Sequence, residues 1–214
     1  QQISDIQSFV DSGNCDVIII SPSTTATLTP AVETACDSGV PVVVFDRGVN
    51  SDCMVTFIHP IGGYAYGADA AEFLVDNLEP GSTVLPLRIL PGVDVLEHRW
   101  AAAQAIFEDS ELEILDPEFT EGDGAQIKDL VSQNPQRGAV DGIWMDAGDG
   151  AVAGLEAFED AGHDYPVVSG EDELSFMRKW DEEGLTAIAP VYSNFQWRTP
   201  VLAAIGIKGK PTFA

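Results

Sequence analysis

Basic residues are scarce in this chain. Its 214 residues include 10 Lys and Arg against 35 Asp and Glu, a formal net charge of −25, and no Lys or Arg precedes Arg47. So negative a surface repels nucleic acid phosphates and anionic membranes, so no nucleic-acid partner is expected. It fits a secreted protein or one adapted to salt. Long apolar runs are also missing: no stretch reaches the roughly 20 residues that a membrane helix needs. No signal-peptide pattern falls within these residues. The chain opens on "QQISDIQSFVDSG", which already has a helical pattern with Ile3, Ile6, Phe9 and Val10 on one face. The expectation is that an N-terminal piece, and any targeting signal with it, precedes residue 1.

Cysteine is limited to Cys15, Cys36 and Cys53, at spacings that match no zinc pattern. Two of them forming a disulfide, as in an oxidising compartment, and three buried thiols are both open readings. Catalytic signatures are absent: there is no G-x-S-x-G, H-E-x-x-H or C-x-x-C. "GIKGKPT" lacks the spacing of a phosphate loop and follows a helix. The histidines His59, His98 and His163 are far apart, and His163 is read as structural. No cofactor and no metal are expected.

Apolar residues make up 45% of the chain, enough for a real core. Strand-like runs are "DVIIIS" (16–21), "PVVVF" (41–45), "MVTFI" (54–58), "STVLPLRIL" (82–90), "LEILD" (112–116), "GIWMD" (142–146), "PVVSG" (166–170) and "LTAIAP" (185–190). Helical patterns fall between them, at about 26–38, 64–78, 95–109, 124–134, 149–162, 173–183 and 195–207. Several stop at the Gly expected past a helix end, such as Gly39, Gly162 and Gly184. This alternation predicts an α/β fold with parallel sheets covered by helices. Eight strands are too many for one small sheet and too short a chain for a barrel, so two doubly wound lobes are expected. The break is placed where "HPIGGY" interrupts the pattern, with a second crossing near 189–194. This assigns 1–59 plus 190–214 to an incomplete N-terminal lobe and 60–189 to a C-terminal lobe.

Ligands of such sheets bind at the carboxyl ends of the strands, and those ends are polar here. Asp46-Arg47 follows a run buried on both faces: a guanidinium with five donors beside a carboxylate acceptor can clamp neighbouring hydroxyls. The plainer alternative is an ion pair closing the strand. Arg99 is read near the start of a helix with Glu97, His98 and Trp100, where a solvated first turn is the alternative; Arg is disfavoured at that end of the dipole. "MDAGDG" places Asp146 and Asp149 at a strand end, with Asp149 able to cap the next helix. In "SGEDE", one of Glu171 and Asp172 is expected to serve the site while the other caps a helix. These carboxylates lack the His or the fixed spacing of a metal site. Trp197, Tyr192, Trp144 and Trp100 are the aromatics nearest strand ends, and Trp144, in mid-strand, is read as core.

Blocks in order along nearly the whole chain resemble a known family: "QISDIQSFVDSGNCDVIIISP", "AVETACDSGVPVVVFDRGV", "GADAAEFLVDNL", "LPGVDVLEHRWAAAQAIFED", "VDGIWMDAGDGAVAGLEAFEDAG", "YPVVSGEDE" and a closing "GKP". The chain is similar to periplasmic sugar-binding proteins of the ribose-binding type, type 1 periplasmic binding proteins that serve ABC importers. The resemblance implies two doubly wound lobes, a hinge crossed three times and an interlobe cleft that closes on a sugar. It implies ligand contacts at Asp46 and Arg47, at Arg99, at Asp146 with Asp149 second, and at Glu171 and Asp172, where "VVSGED" departs from the family pattern by one residue. The strand-end Ser21 joins this set. The family's Gln in the returning strand falls at Pro190, so that contact is either absent or moved, to Tyr192 or Asn194. In this topology the three cysteines fall at the sheet end opposite the cleft, and the expected disulfide is Cys36–Cys53.

What the resemblance implies is a monomeric, extracytoplasmic substrate-binding protein without catalysis. It takes a monosaccharide or polyol to the membrane permease of an ABC importer, and can be lipid-anchored through the missing N-terminus. Two alternatives stand beside it. One is the effector domain of a LacI-like repressor, which shares the lobes. The other is a carbohydrate-active enzyme using two of the carboxylates.

Overall fold

A computed structural model describes residues 1–59, 62–133, 140–191 and 195–209. The chain divides into two compact units, one comprising Gln1–Gly63, Gly92–Val95 and Tyr192–Ala214, the other Tyr64–Pro91 and Leu96–Val191.

The first unit is built on a parallel sheet of β1 (Ile18–Ile20), β2 (Val42–Phe45) and β3 (Thr56–Ile58), in that order. β-Branched residues supply most of these strands, as their preference for a pleated, packed surface requires. Helices α1 (Gln2–Ser12) and α2 (Thr25–Asp37) cover one face. Ile6 of α1 and Leu28, Val32 and Ala35 of α2 pack there on Ile18, Ile20, Val42 and Val44. The C-terminal helix α8 (Phe195–Ile207) packs on the same three strands. Helix α1 stops at Gly13, whose φ of 62° lies in the left-handed region that glycine enters without penalty. A Cys36–Cys53 disulfide, with Cα atoms 6.1 Å apart, joins the end of α2 to the segment before β3, and Cys15 is a free thiol.

The second unit starts with α3 (Gly63–Asn77) and carries an all-parallel sheet. Its strands are β4 (Thr83–Arg88), β5 (Glu113–Ile114), β6 (Glu118–Phe119), β7 (Gly142–Met145), β8 (Val167–Ser169) and β9 (Ala187–Ile188). The order is β5-β4-β7-β8-β9, with β6 also on β4. β5 pairs with the start of β4 and β6 with its end, so the two are one edge strand interrupted at Leu115–Pro117. Two prolines explain the interruption. Pro117 has no N–H for the ladder. Pro86 lies two residues beyond Val84, whose carbonyl accepts from Leu115, so its own missing donor faces the same gap. The sequence expectation of one strand at 112–116 therefore resolves into two short pieces.

Helices α4 (Asp94–Glu108), α5 (Gly124–Gln133), α6 (Ala151–Ala161) and α7 (Leu174–Glu183) connect these strands. Alternation along β4 and β7 sorts the core onto two faces. Leu85, Leu87, Ile143 and Met145 meet Ile127, Val131, Leu155, Phe158 and Phe176 from α5, α6 and α7. Val84 and Trp144 meet Ala70, Ala71 and Leu74 of α3 and Ala103 and Phe107 of α4. The β4–β7 neighbours are where the sheet's winding reverses: the chain leaves β4 toward one edge and leaves β7 toward the other. A ligand crevice opens at the carboxyl side of such a switch point.

Candidate functional site

In the first unit the polar residues gather where β1 and β2 end. Asp46 follows β2 with φ 64°, a left-handed conformation rare outside glycine, and the Arg47 amide donates back to the Phe45 carbonyl at 2.8 Å. The result is a tight γ-type turn, costing about 1–3 kcal/mol of strain. It throws Asp46 and Arg47 off the strand end. Ser21, just past β1, donates its hydroxyl to Asp46 Oδ2 at 2.9 Å. Arg47 Nε lies 3.8 Å from the same oxygen and its side chain is partly exposed. Asp94 joins this group: its Oδ2 accepts the Gly48 amide at 2.9 Å, while its Oδ1 is buried and finds no hydrogen-bond partner among the described residues. A Cβ on Gly48 would stand 2.6 Å from Asp94 Oδ2, so only glycine admits this approach. Sequence reading missed Asp94, which looks like an ordinary acidic first-turn residue of a helix.

In the second unit, two buried arginines meet at the β4–β7 switch point. Arg88 ends β4 and Asp146 follows β7. Arg88 Nε donates to Asp146 Oδ2 at 3.4 Å, the Ile89 amide donates to Oδ1 at 2.9 Å, and Arg88 Nη2 pairs with Glu97 Oε2 at 3.0 Å. The Arg88 guanidinium lies 5.0 Å from the Phe119 ring centroid and 5.8 Å from that of Trp100. Arg99 Nη1 donates to the Asp146 carbonyl at 2.5 Å and to Glu171 Oε1 at 2.9 Å. Its guanidinium lies 3.8 Å from the centroid of Tyr66, whose hydroxyl donates to the Gly170 carbonyl at 3.0 Å. Glu171 Oε2 in turn accepts the Gly148 amide at 3.3 Å. Asp146 is fully buried. Burial raises its carboxyl pKa from 3.8 to about 6, against the opposing pull of the Ile89 amide, Arg88 and Arg99.

Several expectations change on this geometry. Arg99 is not in a solvated first turn: α4 begins at Asp94, so Arg99 sits in its second turn and is buried. The side chain of Asp146 addresses Ile89 and Arg88 and has no exposed surface. Of the Glu171–Asp172 pair, Glu171 joins the arginine network. Asp172 is exposed and caps nothing, because the N-cap position of α7 is Glu173, with no side-chain cap bond. Gly150 holds the corresponding position of α6, and the side chain of Asp149 lies outside the described residues, as do Tyr192 and Asn194. Trp144 is core, as its mid-strand position predicts. Arg88 was missed, although a lone charge inside "STVLPLRIL" was a usable signal. Among the described residues no group of His, Cys, Asp and Glu is arranged to hold a metal ion, and no helix is long and apolar enough to cross a membrane.

Parallel α/β units with polar side chains gathered at the carboxyl ends of their strands place a candidate ligand site at those ends. The chain belongs to the periplasmic binding protein family: a family model described as a periplasmic binding protein domain matches residues 1–196. It is 26% identical over 191 residues to the ribose import binding protein RbsB of Bacillus subtilis (strain 168), covering 87% of this chain and 61% of that protein. The chain thus spans about three fifths of the length of that curated relative. Its fold is similar to an ABC transporter solute-binding protein from Agrobacterium vitis with bound D-fucose, with a TM-score of 0.85 and 19% identity over 99% of this chain and 75% of that one. It is also similar to the periplasmic component of the arabinose ABC transporter from Shewanella sp. ANA-3, with a TM-score of 0.83 and 19% identity over 100% of this chain and 74% of that one. The fold class expected from the sequence, type 1 periplasmic binding protein of the ribose-binding kind, is the one these comparisons support.

Proposed function

We propose that this protein is the extracytoplasmic substrate-binding component of an ABC importer, binding a monosaccharide or related polyol without catalysis. The supporting observation is the pairing of arginines with carboxylates at the carboxyl ends of the strands: Asp46 with Arg47 in one unit, Arg99 with Glu171 and Arg88 with Asp146 in the other. Arginine donates in a fixed fork and carboxylates only accept, so together they match hydroxyls that do both. Arg47 and Asp46 contact the sugar in the first unit, oriented by Ser21. In the second unit Glu171 contacts it and Arg99 and Asp146 hold the framework behind. Cargo then passes to a membrane permease, and the protein works as a monomer. The family match favours this reading over a LacI-like effector domain.

A melting-temperature screen with pentoses, hexoses, deoxysugars and polyols tests it. A true ligand at about 100 times its dissociation constant adds roughly 2.7 kcal/mol of stability. Arg47→Ala is expected to abolish that shift while leaving the ligand-free melting temperature unchanged, because the Arg47 side chain is partly exposed. An undiminished shift in the variant would remove Arg47 from the site.

A further inference from the structure

The charges of the second unit's strand-end network are layered. The two guanidinium groups are at the back, with side chains 6% exposed at Arg88 and 3% exposed at Arg99. Both are engaged there: Arg88 by Asp146 and Glu97, Arg99 by the Asp146 carbonyl, Glu171 and the Tyr66 ring. The groups that reach solvent are the carboxylates these arginines hold, Glu97 at 43% and Glu171 at 23% side-chain exposure. A ligand approaching the β4–β7 switch point therefore meets acceptors, not the positive charges behind them. Counting the named residues, the second unit sets Asp146, Glu97 and Glu171 against Arg88 and Arg99. The first unit sets Asp46 and Asp94 against Arg47.

We propose that Glu97 and Glu171, each anchored from behind by a buried arginine, are the specificity-determining groups of the second unit, and that they select a neutral or amino-bearing sugar over a sugar acid or sugar phosphate. The inference rests on the sugar-binding reading above. An ionised carboxylate accepts hydrogen bonds and cannot donate them, so its partner on the ligand must be a hydroxyl or an ammonium. Anchoring matters as well: each carboxylate is held by an arginine and so is presented already oriented, which reduces the ordering cost of binding. A carboxylate or phosphate on the ligand would instead face two like charges, a juxtaposition that costs several kcal/mol and excludes the wrong partner by repulsion. The net charge of −25 acts in the same direction at long range, by lowering the local concentration of anions.

Calorimetric titration of the protein with matched sets tests this. The sets are glucose, galactose and mannose, each with its 2-amino derivative and its uronate, with ribose and arabinose added. Within the set that binds, the uronate is expected to be at least about 100-fold weaker than the neutral or amino form, a gap of about 2.7 kcal/mol. In E97Q and E171Q, which remove the charge and keep the shape, that ratio should narrow by about 10-fold or more, while the ligand-free melting temperature falls because a buried arginine loses its ion pair. A uronate that binds as tightly as its neutral parent overturns the inference and leaves the sugar-binding function standing. Discrimination that persists unchanged in both variants removes Glu97 and Glu171 from the role. If no sugar in any form binds, the sugar-binding reading itself fails, and the inference with it.

Discussion

Asp146 shows what single residues contribute and conceal. Its position after a strand end marks it as a ligand contact, yet its carboxyl is buried and turned onto Arg88 and the Ile89 amide. The raised pKa of about 6 follows from that burial. The unfolded chain releases this proton near 3.8, so between roughly pH 4 and 6 the folded state binds more protons and stability falls as pH rises. The contribution is complete below the unfolded value and lost above about 6, a difference of about 3 kcal/mol at 1.36 kcal/mol per unit. Urea unfolding of wild type and Asp146→Asn between pH 4.5 and 7.5 should show wild type losing ground to the variant as pH rises. A difference that stays flat with pH would mean that Asp146 ionises freely in the fold. Residue-level reading was otherwise uneven for physical reasons. Asp46 and Arg47 were legible because a charge pair ended an uninterrupted β-branched run. Which of Glu171 and Asp172 turns inward depends on the backbone of the loop after β8, which no local pattern encodes.

At the scale of elements, much of the fold was legible because strands such as β1 and β2 are short β-branched runs and helices such as α1, α6 and α7 stop at a glycine. Departures came where pairing partners matter more than local pattern. The edge strand breaks at Leu115–Pro117 because Pro86, on the neighbouring strand, leaves the same gap without a donor. Helix α4 starts at Asp94, and that moves Arg99 from an exposed first turn to a buried second one. The segment from α2 through β2 to β3 carries Asp46 and Arg47 between two cysteines 17 residues apart, joined as a disulfide. Closing a loop of that length stabilises by about 3 kcal/mol on the chain-entropy estimate. Replacing both cysteines by serine should lower the urea midpoint of the first unit's transition accordingly, and any sugar affinity with it, since the Asp46 turn lies inside the loop. An unchanged midpoint would show that the β1–β2–β3 core alone holds this segment.

At the scale of the molecule, the dominant feature is charge. With a net −25 on 214 residues, self-repulsion opposes the compact state and is relieved by screening. Raising NaCl from 0.1 to 1 M shortens the Debye length from about 10 to about 3 Å, and the urea midpoint should rise. A fall would mean that the exposed ion pairs, such as Lys128 with Glu156 and Asp160, contribute more than the net repulsion costs. Against that charge, three guanidinium groups stand beside carboxylates near the strand ends, those of Arg47, Arg88 and Arg99. The most direct test of the function is titration calorimetry of the protein against the sugar and polyol panel, followed by chromatography of the recovered ligand. One sugar or polyol should bind with a stoichiometry of one and return unchanged. Absence of binding across the panel, or return of a hydrolysed or otherwise altered sugar, would contradict a solute-binding protein without catalysis.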